Sequence, residues 1–450
     1  MSDGAKLTRG DIRGHLVTQT TPMIIGVAAM MSVGLIDAYF IGQLGSAELA
    51  AIALIFPISI ALSSLGIGVM VGINSVVSRS LGAGDIENAA SRGNIGIAFA
   101  LIVGIVMAAI LVALLDPLFT LMQADDELMS IIRTYMIPYA MGFPLIMVMM
   151  GINGVMRGQG EARRASYVSI CYAAANWILD PILITGAFGF EGFGIAGAAY
   201  ATNTGWAIAI ILALFLLKGT ALPFNPAAIK KDQIAPAIKA LSSVAGPAGF
   251  SNAINPIGLS VLTALVATQG QDAVAGFGAA GRIQSFAIVP LLALSGAIGS
   301  IVGQNWGASQ FDRAQQAMRW AAGFSIVYGM VVAVVLVAAS GWFAQIFSDN
   351  PAVIEEFSRY LAIAAWGYAG FGLLIVSNGA LNSVGKAGWA LAQSCFRVFL
   401  VMMPIAWLLR PAWGSDAIYT AELAANVIGG TIALVLVLRI LGQKQSSREA

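Results

Sequence analysis

The chain carries one apolar run after another, most of about 20 residues or more, with short polar links between them. A run of that length fits the hydrocarbon thickness of a bilayer when it is helical. Lipid offers no partner for backbone N–H and C=O groups, so each segment must close its own hydrogen bonds, and runs of this kind do so as α-helices. Spans are expected at roughly 20–43, 52–77, 94–115, 131–152, 166–186, 194–217, 241–268, 277–303, 318–340, 357–380, 389–409 and 420–441. Composition points the same way: 58% of residues are hydrophobic, 10% are charged and the mean hydropathy is +0.85, well outside the soluble range. The expected class is an all-α polytopic membrane protein.

Charge in the links alternates. With the amino terminus inside, the inner links collect Arg79 and Arg92, then Arg157, Arg163 and Arg164, then Lys218, Lys230, Lys231 and Lys239, and finally Arg439, Lys444 and Arg448. The outer links carry mostly acids, among them Asp116, Asp125, Asp126, Glu127, Glu355 and Glu356. By the positive-inside rule both termini are expected on the cytoplasmic side of the inner (cytoplasmic) membrane. No cleavable signal pattern precedes the first span.

The two halves repeat. A single shift of 225 residues pairs Pro22 with Pro247, Ser75 with Ser300, Tyr135 with Tyr360, Asn153 with Asn378 and Gly160 with Gly385. The longest link, Lys218 to Ala240, falls at the midpoint and holds three prolines. We expect two six-helix lobes, 1–225 with a cation site and 226–450 as its repeat. A six-span unit starts and ends on the same side of the membrane, so a pseudo-two-fold axis along the membrane normal would relate the copies. Such a pair enclosing a cleft is the frame of an alternating-access carrier.

The candidate chemistry lies in the first half. Asp37 sits inside an apolar run, where a carboxylate is costly unless it meets a partner, a cavity or an ion. The shift of 225 puts Leu262 opposite it, so packing common to both halves does not demand the acid. In NWILDPILI, Asn176 and Asp180 are four residues apart on one helix face, and Pro181 interrupts the helix beside them. Together with Asp37 they could offer oxygens to sodium or share a proton. Thr202 is a further candidate oxygen. In the second half Glu422 stands near the start of the last span, where water would solvate it, and Arg282, Arg397 and Arg410 read as interface anchors. Met147, Met149, Met150, Trp366, Tyr368 and Phe371 suggest an adaptable apolar cavity. One histidine and two cysteines, Cys171 and Cys395, provide no zinc or haem set, and the glycine-rich stretches lack the lysine of a phosphate loop. No enzyme activity, no cofactor and no nucleic-acid partner are expected.

The stretches MSVGLIDAYFIGQLG, SRSLGAGDIENA, NGVMRGQGEAR and NWILDPILI, with the repeats QNWGASQFDRA and NGALNSVGKAG, make the chain resemble the multidrug and toxic compound extrusion (MATE) family over about residues 10–440. The absence of acids in spans seven and ten resembles its DinF-like branch. The resemblance implies two six-helix lobes and efflux of amphiphilic or cationic small molecules in exchange for H+ or Na+. It also implies coupling at Asp37, Asn176, Asp180 and Thr202, with a looser match at Tyr135; Tyr135 and Asn153 are further candidates for lining the cleft. A monomer surrounded by membrane lipids is expected. The alternative is a flippase-like exporter of lipid-linked or other amphiphilic metabolites.

Overall fold

The computed structural model describes residues 4–187, 189 and 191–449, with side chains described as far as Gly442, so Lys444 and Arg448 of the charge pattern lie outside the described side chains. Among the described residues there is no strand, and twelve helices are long and apolar enough to cross a membrane. We label them α1 (Ile12–Gly42), α2 (Ser46–Gly82), α3 (Ile86–Leu121), α4 (Asp126–Gly158), α5 (Ala162–Gly186), α6 (Ile195–Lys218), α7 (Lys231–Ala267), α8 (Gln271–Gly307), α9 (Phe311–Ala338), α10 (Pro351–Ser383), α11 (Ala387–Trp413) and α12 (Ser415–Gly442).

Each expected span is present, and nearly all run further than their apolar runs; at the starts of α3 and α4 an acidic side chain caps the extension. Asp85 accepts a hydrogen bond from the Asn88 amide to start α3, and Asp125 accepts one from Leu128 to start α4. Such side chains satisfy amides that a helix start leaves without partners. Gly160 and Gly385, paired by the 225-residue shift, take φ of +75° and +77° in the turns after α4 and α10, a region open to glycine at little cost.

Two compact units emerge, and their boundary departs from a cut at 225/226. The first holds the described residues up to Lys6 together with Pro22–Gly249; the second holds Leu7–Thr21 and the chain from Phe250 onward. The start of α1 thus belongs with the second unit. Leu7 is wholly buried there, its amide donates to Gln304 Oε1 at 3.1 Å, and its carbonyl accepts from Asn305 Nδ2 at 3.1 Å. Arg313 reaches the Gly10 carbonyl, and the Arg13 guanidinium lies 3.6 Å from the centre of the Trp320 ring. Conversely, the first half of α7 belongs with the first unit, where Ala237, Leu241 and Ala245 join its apolar core. A Cβ on Gly68 would collide with the Ala245 carbonyl, so glycine is what allows α2 and α7 to approach so closely there.

In the first unit α4 is central. Most of its apolar side chains are buried, and Met147, Met149 and Met150 fill that core rather than lining an adaptable cavity. Small residues bring its neighbours close: a Cβ on Gly154 would sit 2.7 Å from the Met70 carbonyl of α2.

Candidate coupling site

Asp180 is the last α-helical residue of α5 before Pro181–Gly186 continues as a wider π-helical turn. Proline supplies no amide to the ladder and crowds the preceding turn, which explains the change of pitch at this point. Asp180 and Asn176, one turn apart, are both completely buried. Asn176 Nδ2 points to Thr202 Oγ1 on α6 at 3.4 Å. From α1, Asp37 meets both: its carboxyl interacts with that of Asp180 and with the Asn176 amide. The four residues predicted from sequence therefore converge from three helices of one unit.

The cluster is rich in acceptors without donors. Asp37 Oδ1, both oxygens of Asp180 and Asn176 Oδ1 accept no hydrogen bond from the described residues. A buried carboxylate in that condition is strongly unfavourable, and a hard cation or a shared proton would meet the deficit. The donor set suits either, and it contains no sulfur or imidazole that would favour a transition metal. Around it stands an aromatic wall: Tyr135 stacks on Tyr139 with centroids 5.7 Å apart, Tyr139 meets Trp206 edge-on at 5.6 Å, and Tyr172 stacks on Trp206 at 6.3 Å. Tyr135 and Tyr172 lie within electrostatic reach of both carboxylates.

Asn153 is buried on the same helix as Tyr135 but 18 residues further along, about 27 Å at helical rise. It is not brought to the acids, and its Oδ1 has no partner among the described residues.

The second unit holds a polar cluster that the sequence reading placed wrongly. Glu422 was expected to be solvated at a span end and Arg397 to be an interface anchor, yet they are only 6% and 5% exposed. Glu422 accepts from Gln284 Nε2 at 2.9 Å and from the Tyr360 hydroxyl at 3.0 Å. Arg397 donates to Asn426 and Asn255, both at 2.5 Å, and its guanidinium faces the Phe371 ring. The reason is that the end of α12 is roofed: Arg359 bridges Glu356 and Asp416, and Tyr419 donates to Glu356 at 2.9 Å. Water is thereby kept from a glutamate only two turns into the helix. The four-residue spacing puts Glu422 and Asn426 on one helix face, but nothing in the sequence marks that face as buried. Arg282, by contrast, is exposed, as an anchor should be.

The MatE family profile matches residues 22–182 and again 247–408, the second match beginning 225 residues after the first. The chain belongs to the MatE family. Among its MATE relatives, the FAD transporter of Shewanella oneidensis is 31% identical over 444 residues, covering 98% of this chain and 97% of that one. The probable multidrug resistance protein YoeA of Bacillus subtilis is 25% identical over 400 residues, covering 87% and 83%. The crystal structure of the Vibrio cholerae MATE transporter VcmN in its bent form superposes with a TM-score of 0.89 at 26% identity, covering 98% and 99% of the two chains. This MATE protein is accordingly a multi-pass membrane transporter of small compounds built from twelve helices, and not an enzyme.

Proposed function

We propose that the protein is a secondary active exporter of amphiphilic or cationic compounds, working by alternating access and driven by protons or sodium bound at Asp37, Asn176, Asp180 and Thr202. One observation carries the reading: two acids in membrane-spanning helices, Asp180 fully buried and Asp37 partly so, interact while holding oxygens that no donor among the described residues satisfies. Binding one cation or one proton there changes the charge of the site, which is how an ion gradient can bias a carrier between states. The basic inner links support placement in the cytoplasmic membrane with both termini inside.

A second reading of the substrate is a flavin dinucleotide. It is favoured by the Shewanella relative, named an FAD transporter, which is more similar to this chain than the YoeA and NorM relatives named for multidrug resistance.

The test uses purified protein in proteoliposomes loaded with ethidium or, separately, with FAD. A pH gradient and a sodium gradient are imposed one at a time. Gradient-driven export of either substrate, lost in Asp37→Asn and Asp180→Asn, is the expected result. Export indifferent to both gradients would overturn ion coupling, and export of FAD alone would replace the multidrug reading by the dinucleotide one.

A further inference from the structure

Away from the acids, a cavity of about 210 Å3 opens where α2 ends and α3 begins, and its walls include Arg79, Ser80, Ala83, Asp85, Asn88 and Arg92. Arg79 donates through Nε to the Ser75 carbonyl at 3.1 Å, and Arg92 donates through Nη1 to Ser80 Oγ at 3.1 Å. Neither forms an ion pair among the described residues. Arg92 Nε is buried without a partner. The one acid in the cavity wall, Asp85, is exposed to solvent and spends both oxygens on Asn88.

This arrangement is electrostatically unfavourable as it stands. The two guanidinium groups are close enough to repel each other. Arg79 gains something from the last turn of α2, where a cation complements the helix dipole, but Arg92 lies in the amino-terminal part of α3, where the dipole gives a cation no help.

The shared frame of the two halves does not require the pair. The 225-residue shift puts Gln304 at the position of Arg79, Asn305 at that of Ser80 and Ala317 at that of Arg92. In the second unit Gln304 and Asn305 bind the backbone of Leu7 on both sides, so there the chain itself occupies the place. In the first unit the same place carries two arginines and an opening.

We propose that this cavity binds a phosphate group, held between Arg79 and Arg92. Two planar guanidinium forks match the oxygens of a phosphate and would each gain charge-assisted hydrogen bonds. The cavity lies where two helices long and apolar enough to cross a membrane meet their connecting turn, and basic pockets near the ends of such helices take headgroup phosphates. A soluble phosphate could reach the same opening.

The experiment has two arms on the full-length purified protein. In the first, inorganic phosphate is titrated against matched chloride and the melting temperature is followed. In the second, protein from nanodiscs containing phosphatidic acid is examined by native mass spectrometry for retained lipid. Wild-type protein is expected to respond in at least one arm, the lipid arm alone marking a headgroup and the phosphate arm marking a soluble source. The double variant Arg79→Gln with Arg92→Ala adopts the residues found at the equivalent places in the second half, and it should bind roughly tenfold or more weakly. Ala83→Glu keeps both arginines and supplies a carboxylate from the exposed wall, so it should block the site without removing a guanidinium. No response from the wild type in either arm, or equal binding by the double variant or by Ala83→Glu, would overturn the proposal.

Discussion

Asp180 illustrates how a single side chain can be read from sequence and still keep its partners hidden. Its spacing from Asn176 and the following Pro181 marked the helix face and the break, and both are present. That α1 and α6 deliver Asp37 and Thr202 to the same point depends on tertiary packing, for which the family resemblance was the guide. An unpaired acid in the middle of a span costs about 2.5–3.5 kcal/mol on insertion scales. Asp37→Asn and Asp180→Asn should therefore insert and fold at least as well as the wild type, while ion-driven efflux falls by tenfold or more. Matched membrane levels with undiminished coupled efflux would contradict the assignment. In the other unit, Arg397 and Glu422 form no direct ion pair but lie within electrostatic reach of each other. Arg397→Met alone should cost about 1–3 kcal/mol, because it removes the donor to Asn426 and Asn255 and withdraws a positive charge from the neighbourhood of Glu422. Adding Glu422→Gln should recover much of that loss, measured as thermal unfolding of the detergent-solubilised variants. Additive losses would mean that the two charges do not sense each other.

At the scale of helices, lengths and order were legible because a run of apolar residues leaves the chain few alternatives in lipid. Helix ends were less so, since Asp85 and Asp125 extend the coil into polar territory where hydropathy carries no signal. Burial of Glu422 was illegible for a related reason: the roof over α12 is built by Arg359, Glu356 and Tyr419, which come from elsewhere in the sequence or from a different turn. Small residues set how closely helices approach. Gly154→Ala places a methyl group against the Met70 carbonyl and should destabilise the protein by about 1–3 kcal/mol, read as a lower melting temperature. An unchanged melting temperature would show that α4 can shift away from α2 at no cost.

For the whole molecule, the repeat predicted two halves, but not that each compact unit borrows a helical segment from the other half of the sequence. That exchange depends on the landing places of Leu7 and Leu241, both buried, and periodicity does not encode such a choice. Fragments 1–225 and 226–450 expressed separately should consequently be unstable, the first lacking the α7 segment that packs on Gly68 and Gly72, the second lacking the segment anchored by Leu7. Co-expressed, they should be recovered together after detergent extraction. Two stable, independent fragments would show that the borrowed segments are dispensable.

The places where the borrowing begins and ends have a mechanical meaning. On α1 the change of unit falls between Thr21 and Pro22, and on α7 between Gly249 and Phe250, two residues past Pro247, the repeat partner of Pro22. A proline withholds one hydrogen bond from the ladder, so a helix flexes there with less to break than at any turn fully bonded. The 225-residue repeat thus sets a proline in each of the two helices that pass from one unit to the other, close to the residue where each changes unit.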